Sequence, residues 1–279
     1  MSATGTDASV TDATTAGGRM AFDRVGVEFP APGGDVVAVE DVSFAVGDRE
    51  FVSVVGPSGC GKSTLLNCIA GFVAPTRGRV LLDGAAVTGP GPDRGVIFQD
   101  YGVFPWLTVA ENIGFGLKLK AQRGEREAAA SVIERYLRLM GLDAFRNAYP
   151  KTLSGGMRQR LALARAYAVR PAFLLMDEPF GALDAQTREA MQDLLLEVLH
   201  AEGKTVMLIT HSVEEALYLS SRVVVITARP ARVRRVFEVP FAYPRLRDIK
   251  TSPAFVELLS SVRQAVMEEY SAQQRLQTA

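Results

Sequence analysis

The sequence contains little cysteine and no long hydrophobic run, and each absence excludes a class of protein. Two cysteines, Cys60 and Cys68, cannot build the disulfide framework of a small secreted domain, which favours a reduced, cytosolic setting. No apolar run approaches the roughly 18 residues that a membrane-spanning helix needs. The polar first 18 residues lack the basic start and apolar core of a signal peptide.

The chain also lacks an excess of charge, since 31 Lys and Arg residues balance 31 Asp and Glu residues. A zero net charge offers no bulk electrostatic attraction to nucleic acid, so we expect no nucleic-acid partner. The composition, 48% hydrophobic and 22% charged over 279 residues, is ordinary for a globular protein. It suffices for one large domain, or for one domain with a smaller insert.

Hydrophobic patterning divides the chain into three segments, and the middle one contains an insert. Residues 1–19 are small and polar, which predicts a disordered tail. Residues 20–240 form the main domain, and the mostly helical pattern of residues 101–167 indicates a helical insert within it. Residues 241–279 are a C-terminal extension that ends in one amphipathic helix, and its role stays open.

The main domain begins with alternating apolar and polar residues, as half-buried antiparallel strands do. Short apolar strands and helical patterns then alternate, which favours an α/β fold with a parallel sheet covered on both faces. The predicted strands include FVSVV (51–55), RVLLDG (79–84), GVIFQ (95–99), AFLLMDE (172–178), KTVMLIT (204–210) and RVVVIT (222–227), with helices at 184–201 and 213–219.

The stretch GPSGCGKST fits the phosphate-loop pattern G-x-x-x-x-G-K-S/T, with a buried strand before it and a helix after it. Its glycines let backbone amides curl around phosphates, while Lys62 reaches the β- and γ-phosphates and Ser63 offers a hydroxyl to Mg²⁺. Cys60 is a spacer, because no partner base is evident. The predicted nucleotide-binding residues are Gly56, Pro57, Ser58, Gly59, Cys60, Gly61, Lys62, Ser63 and Thr64.

An apolar strand ending in two carboxylates, FLLMDEP, follows later in the chain. Asp177 at the end of this strand is suited to holding Mg²⁺, and Glu178 to orienting or deprotonating an attacking water. Two surface carboxylates that cap the next helix are the alternative. This pattern is weak alone and becomes specific after a phosphate loop.

Two further polar residues follow predicted strands. Gln99 offers a neutral amide that can sense Mg²⁺ or water, although most glutamines are simply surface residues. His211 follows an apolar strand and could donate a hydrogen bond to a γ-phosphate, although a lone histidine there is more often structural. Active-site loops of open α/β sheets gather at such strand ends, which favours the functional reading.

A second helix start with anion-binding character lies in TLSGGMRQRLALARA (152–166). Ser154, Gly155 and Gly156 open a strongly helical pattern, although adjacent glycines are poor helix formers. A hydroxyl and bare backbone amides at a helix start favour an anion. The chain therefore has two predicted phosphate-binding helix starts.

These motifs together resemble the nucleotide-binding subunits of ATP-binding cassette (ABC) transporters over residues 20–240. The elements GPSGCGKST, FQD, LSGGMRQR, LLMDEP, GALD and THS occur in the family's order, and LSGG between a phosphate loop and DEP is specific to it. The resemblance implies a P-loop NTPase (RecA-like) fold, with a mostly parallel sheet core, an antiparallel β-subdomain and a helical insert carrying the signature motif.

The resemblance also implies roles for individual residues. Glu178 would be the catalytic carboxylate, and His211 and Gln99 would assist it; Ser63, Gln99 and Asp177 would hold Mg²⁺. Phe29 falls roughly where the family has an adenine-stacking aromatic, although a plain core residue of a strand is the alternative. Met157 replaces the glutamine that is common at the fifth signature position.

The resemblance explains the second helix start. Two such subunits pair head to tail, and the signature of each closes on the γ-phosphate held by the other's phosphate loop. Ser154, Gly155 and Gly156 would therefore contact the partner's ATP, with Asp184 of GALD (181–184) along the dimer seam. One phosphate loop and one signature per chain predict a symmetric dimer with two composite sites.

A finer resemblance is to the nitrate, sulfonate and taurine importer group, through GPDRGVIFQDYGVFPWLTVAENIGFGL, DEPFGALDAQTRE and THSVEEALYLSSRVVVITARPARV. It implies an ATPase at the cytoplasmic face of the plasma membrane, with permease subunits and, indirectly, a solute-binding protein as partners. The aromatic group Tyr101, Val103, Phe104 and Trp106 would dock the permease; it could equally belong to the core of the insert.

Two other functions are compatible with a phosphate loop. A non-transport relative acting on DNA or ribosomes usually carries coiled-coil inserts, zinc-binding cysteines or two cassettes, none of which this sequence has. A kinase or GTPase would leave LSGG unexplained and needs an acceptor site that we cannot identify.

Overall fold

The computed structural model describes residues 18–120 and 126–278. The strands are β1 (Met20–Phe29), β2 (Val36–Val46), β3 (Phe51–Val55), β4 (Arg77–Leu82), β5 (Ala85–Ala86), β6 (Arg94–Ile97), β7 (Phe173–Asp177), β8 (Thr205–Ile209), β9 (Arg222–Ile226) and β10 (Val233–Glu238). The helices are α1 (Lys62–Ala70), α2 (Val109–Lys120), α3 (Arg126–Leu139), α4 (Gly155–Ala168), α5 (Ala185–Glu202), α6 (Val213–Leu219) and α7 (Pro253–Thr278), with 3-10 turns at Asp143–Phe145, Pro150–Thr152 and Arg247–Thr251.

Strands of the main sheet run in the order β10-β9-β3-β8-β7-β6. Neighbouring strands are parallel except β10, which pairs antiparallel with β9. All five residues of β3 and of β8 are buried, because both faces of a parallel sheet are covered and its strands become continuous apolar runs. The predicted α/β fold with a mostly parallel core is confirmed.

Alternate residues of each central strand enter two hydrophobic cores on opposite faces of this sheet. Leu174 and Met176 of β7 join the core built with α2 to α7, whereas Phe173 and Leu175 join the core built with α1, β1 and β2. Each fully buried side chain of this kind contributes about 1.5–3 kcal/mol to stability. The two cores therefore hold the sheet between them, and this fixes the positions of the loops at the ends of its strands.

The predicted antiparallel subdomain is a second sheet in the order β2-β1-β4-β5. Phe22 and Phe44 stack across β1 and β2 with ring centroids 4.4 Å apart. Just before β1, Arg19 lies 3.1 Å from Asp48 and donates to the carbonyl of Ala172 at 3.2 Å. The rest of the predicted N-terminal tail, residues 1–17, lies outside the described residues.

The helical insert contains α2, α3 and the signature helix α4. The buried side chain of Asn112 fixes the loop that enters it: its Oδ1 accepts from the amide of Phe104 at 2.8 Å, and its Nδ2 donates to the carbonyls of Leu107 and Thr108, each at 3.0 Å. Phe104 also packs on Phe115, with centroids 4.4 Å apart. These contacts hold the loop after β6 against the insert.

The C-terminal extension packs on the core through α7. Phe255, Val262 and Val266 are buried at helical spacing, so α7 is amphipathic as predicted. The helix continues to Thr278, beyond the apolar pattern that ends near Tyr270. None of the helices within the described ranges is long and apolar enough to cross a membrane.

A buried arginine fastens the start of this extension to α6. Arg245, 5% exposed, donates to the carbonyls of Leu217, Tyr218 and Ser220 at 2.8–3.0 Å. It also donates to the carbonyl of Phe241 at 2.8 Å. The guanidinium thus satisfies orphan carbonyls at the end of α6, where the helix dipole also favours a cation.

We expect Arg245→Ala to lower the free energy of unfolding by about 2–3 kcal/mol, because several carbonyls lose a charged donor. Arg263→Ala is the matched control, since Arg263 is exposed on α7. Denaturant unfolding of both variants is the measurement. Equal stability of the two variants would show that the extension is not fastened in this way.

Candidate functional site

The phosphate loop leaves β3 and enters α1 by a route that only glycine permits. Gly61 has a φ of 119°, and a Cβ there would lie 2.7 Å from the carbonyl oxygen of Ala38. A Cβ on Gly56 would lie 2.7 Å from Cγ1 of Ile226. The loop is therefore held tightly against β2 and β9 by its bare backbone.

Lys62 opens α1 with its ammonium folded back over this loop. Its Nζ donates to the carbonyls of Gly56 at 2.8 Å and Pro57 at 2.7 Å, and the residue is 7% exposed. No acidic residue lies in the first turn of α1, so the positive end of the helix is unshielded. A lysine beside a free helix start is suited to a phosphate.

Asp177 and Ser63 lie together at the end of β7. Burial, followed by the neighbouring charge of Glu178, raises the pKa of Asp177, while a hydrogen bond with Ser63 and the charge of Lys62 oppose the shift. A carboxylate and a hydroxyl are oxygen ligands of the kind that Mg²⁺ takes alongside substrate phosphates. The described ranges contain no cluster of three or more His, Cys, Asp or Glu side chains able to hold a metal alone.

Glu178 and His211 meet across β7 and β8. Nδ1 of His211 lies 3.2 Å from Oε2 of Glu178, and the two side chains are 56% and 25% exposed. Glu178 also lines the cleft at the phosphate loop. A carboxylate that keeps partial access to solvent can orient a water molecule, and the imidazole can hold that carboxylate in place.

The backbone of Glu178 is strained. Its φ of 44° is in the left-handed region, which costs a non-glycine residue about 1–2 kcal/mol. Its amide donates to the carbonyl of Ile209 at 2.9 Å, and its carbonyl accepts from the amide of Gly181 at 3.1 Å. Such strain persists where surrounding contacts enforce it, and it concentrates at functional sites.

Gln99 approaches the same place from β6. A Cβ built on Gly181 would lie 3.9 Å from both Nε2 of Gln99 and Oε2 of Glu178. The two side chains therefore converge on one small space beside Gly181. Asp177 and Glu178 therefore lie at the phosphate loop, and His211 and Gln99 lie beside Glu178.

The signature residues lie elsewhere. Ser154 caps α4, its exposed Oγ accepting from the amide of Met157 at 3.3 Å. A Cβ on Gly156 would lie 2.7 Å from Cγ2 of Thr187, so this glycine allows α4 to approach α5 closely. Among the described residues, those that line the phosphate-loop cleft do not include Ser154, Gly155 or Gly156. The chain does not bring its two predicted phosphate-binding helix starts together.

Asp184 has a local role that the sequence analysis missed. It caps α5, with Oδ1 accepting from the amide of Thr187 at 2.9 Å. This hydrogen bond is the main reason that the pKa of the Asp184 carboxyl is lowered. The signal for this role was an aspartate directly before a helical pattern, because such a residue caps the helix by accepting from the amide three residues later.

A buried hydrogen-bond network begins at Thr210, the residue before His211. Oγ1 of Thr210 donates to Oε2 of Glu215, whose Oε1 accepts from Nε2 of Gln192 at 3.1 Å. Burial raises the pKa of Glu215, and these two hydrogen bonds oppose the shift. The sequence analysis missed these residues, because only the fold brings Gln192 of α5 to α6.

The cleft at the phosphate loop has a volume of about 270 Å³. Phe29, 39% exposed, and Ala38 lie in its wall, as do Lys62, Glu178 and Arg229, a residue with no predicted role. A larger cleft of about 700 Å³ lies on the antiparallel subdomain. It contains none of the predicted site residues, and its arginines Arg24, Arg77 and Arg79 are paired with carboxylates, so we place the site at the phosphate loop.

Comparison with known proteins shows the family of the chain. Residues 39–181 match the family described as ABC transporter. A nitrate import ATP-binding protein of Synechococcus elongatus is 45% identical over 89% of this chain and 91% of its own length. A taurine import ATP-binding protein of Burkholderia pseudomallei is 48% identical over 90% of this chain and 98% of its own length.

The chain is also similar to a solved structure. An ATP-binding cassette determined as a dimer in a post-hydrolysis state, bound to ADP and Pi, has a TM-score of 0.69 and 31% identity. The match covers 80% of this chain and 100% of that one.

We expect Asp177→Asn to raise the unfolding temperature of the nucleotide-free protein at pH 7 by on the order of 2 °C. The raised pKa means that ionising Asp177 opposes folding, and this cost is absent below the ordinary pKa of 3.8. The gain should therefore shrink as the pH falls towards that value. Thermal unfolding across pH measures it, with the exposed Asp35→Asn as control. An unfolding temperature below that of wild type at pH 7 would contradict the view that ionised Asp177 opposes folding.

Proposed function

The chain belongs to the ABC transporter family and is an ATPase subunit, and we propose that it powers an importer for a small nutrient of the nitrate, sulfonate or taurine type. The permease, a solute-binding protein and a position at the cytoplasmic face of the membrane follow from that proposal. The relatives named for nitrate and taurine import support it. The observation that carries the mechanism is the separation of Ser154 from the phosphate-loop cleft.

In this proposal two copies pair head to tail and complete each other's site. The cleft of one copy holds the ATP phosphates on Lys62 and the loop amides. The exposed hydroxyl of Ser154 and the amides that start α4 then meet the γ-phosphate from the partner. A symmetric pair has two such sites, which accounts for a phosphate-binding helix start that has no use within its own chain.

Each site residue then has one task. Ser63 and Asp177, with Gln99 nearby, would hold Mg²⁺, which when bound neutralises phosphate charge. Glu178 orients the attacking water and takes its proton, and His211 holds Glu178 and faces the γ-phosphate. The wall residue Phe29 stacks on the adenine.

The helical insert links the ATP site to the loop that is proposed to contact the permease. Arg165 of α4 donates to the carbonyl of Gly102, and its guanidinium lies 4.1 Å from the ring centre of Phe104. The loop after Gln99 is thus attached to the signature helix. Tyr101 and Gly102 both have a positive φ, so this loop turns sharply. Movement at Gln99 and movement of α4 are therefore expected to be coupled.

Trp106 is the proposed contact with the permease. It is 69% exposed, and its ring packs on Phe104 with centroids 5.4 Å apart. Tyr101 and Val103 belong to the same loop, and they pack, partly buried, against the hydrophobic core. An exposed tryptophan on an anchored aromatic base is typical of an interface hot spot. The non-transport alternative has no comparable observation in its favour.

We expect Glu178→Gln to bind ATP with unchanged affinity, to lose at least about 100-fold in ATPase rate, and to form a stable dimer with ATP. The amide keeps the shape of Glu178 but cannot accept a proton. Sedimentation with ATP or ADP, together with ATPase assays, measures these effects. Glu257→Gln, an exposed change on α7, is the control. Wild-type hydrolysis by Glu178→Gln would exclude the proposed role.

We expect Trp106→Ala to weaken binding to the cognate permease by at least about tenfold, since it removes the exposed anchor of the surface. Nucleotide binding by the purified subunit should remain intact. Co-purification of the subunit with permease from detergent-solubilised membranes is the measurement, with the exposed Met267→Ala of α7 as control. Recovery of both variants with ribosomes or DNA, and no membrane protein, would favour the non-transport alternative.

A further inference from the structure

Arg229 lines the phosphate-loop cleft, and none of the motifs assigns it a role. It lies in the wall of the cleft together with Phe29, Ser58 and Thr64. It is exposed, and it makes no hydrogen bond or ion pair with any other residue of the described ranges. Arg232 and Arg234, a few residues further on, are instead paired with the carboxylates of Glu40 and Glu269. The guanidinium of Arg229 is therefore available to a ligand bound in this cleft.

The loop that carries Arg229 is hydrogen-bonded to β2, close to Phe29. The amide of Ala231, two residues further on, donates to the carbonyl of Ala38 at 2.9 Å. Phe29 approaches the same part of β2, because it pairs with Val36. Val36 and Ala38 share one face of their strand. Phe29 and Arg229 therefore flank this part of β2 from two sides.

The loop that carries Arg229 is held by the C-terminal helix. Oε2 of Glu269, a residue only 9% exposed, accepts from the buried amide of Ala228 at 3.0 Å. One turn further along α7, Nε2 of Gln273 donates to the carbonyl of Ser58 at 3.0 Å. Residues four apart lie on one helix face. One face of α7 thus contacts both the Arg229 loop and the phosphate loop.

We propose that Arg229 binds the base and ribose end of the bound nucleotide, its guanidinium stacking on the base from the side opposite Phe29. A guanidinium is planar and stacks readily on aromatic rings. Glu269 is the positioning residue that holds its loop. This inference rests on the proposed nucleotide site, and it gives the C-terminal extension a role in nucleotide affinity.

The test compares nucleotide affinities of Arg229→Ala and wild type by titration calorimetry. Stacking on a base predicts that the Kd values for ATP and ADP rise by the same factor, about fivefold, because the two ligands share base and ribose. Competition by inorganic tripolyphosphate, which lacks both groups, should be unchanged. In ATPase assays KM should rise and kcat should not.

Two matched variants sharpen the result. Arg235→Ala removes an exposed arginine of β10 that stacks on Phe237 and does not line the cleft, and it should bind nucleotide like wild type. Glu269→Ala should raise KM in the same direction as Arg229→Ala, and Glu269→Gln should restore it. The glutamine oxygen can still accept from the amide of Ala228.

Different failures have different meanings. If Lys62→Ala binds ATP as tightly as wild type, the proposed nucleotide site itself is wrong. If Lys62→Ala is weak but Arg229→Ala binds normally, only the inference about Arg229 is overturned. A loss that is larger for ATP than for ADP, or a loss of tripolyphosphate binding, would also overturn it, because Arg229 would then contact phosphate.

Discussion

The arrangement of the whole site depends on one constraint, the parallel pairing of β3, β8 and β7. Parallel strands end at the same edge of a sheet, so the residues that follow them are brought together whatever their separation in sequence. The phosphate loop follows β3, Glu178 follows β7 and His211 follows β8. The two hydrophobic cores that clamp this sheet hold the loops in register, which lets Glu178 keep a strained backbone.

The same rigidity supports the proposal that two copies share each site. The signature helix α4 packs closely on α5 at Gly156, and its first residues do not line the phosphate-loop cleft of their own chain. An ATPase whose site closes only between two copies can use ATP binding to bring them together and hydrolysis to release them. In the proposed assembly, Arg165 and the aromatic loop around Trp106 connect that closure to a permease.

The sequence predicted the parts of the fold where local pattern and burial agree. The strand FVSVV is observed over residues 51–55, because five consecutive buried positions leave no ambiguity. The roles of the site residues stay predictions, as do the limits of the domains. Arg229 and Gln273 could not be found in this way. The contact from Gln273 to Ser58 joins residues 215 positions apart, and no local pattern encodes it.

The most direct test of the account is whether Ser154 of one copy meets the phosphate loop of the other. Chains with Glu178→Gln and Ser154→Cys are mixed with chains carrying Glu178→Gln and Ser58→Cys, and a short bismaleimide is added with and without ATP. We predict a covalent dimer only in the mixture and only with ATP, the native cysteines being buried. No cross-link in the mixture, or equal cross-linking of either chain alone, would contradict a site shared between two copies.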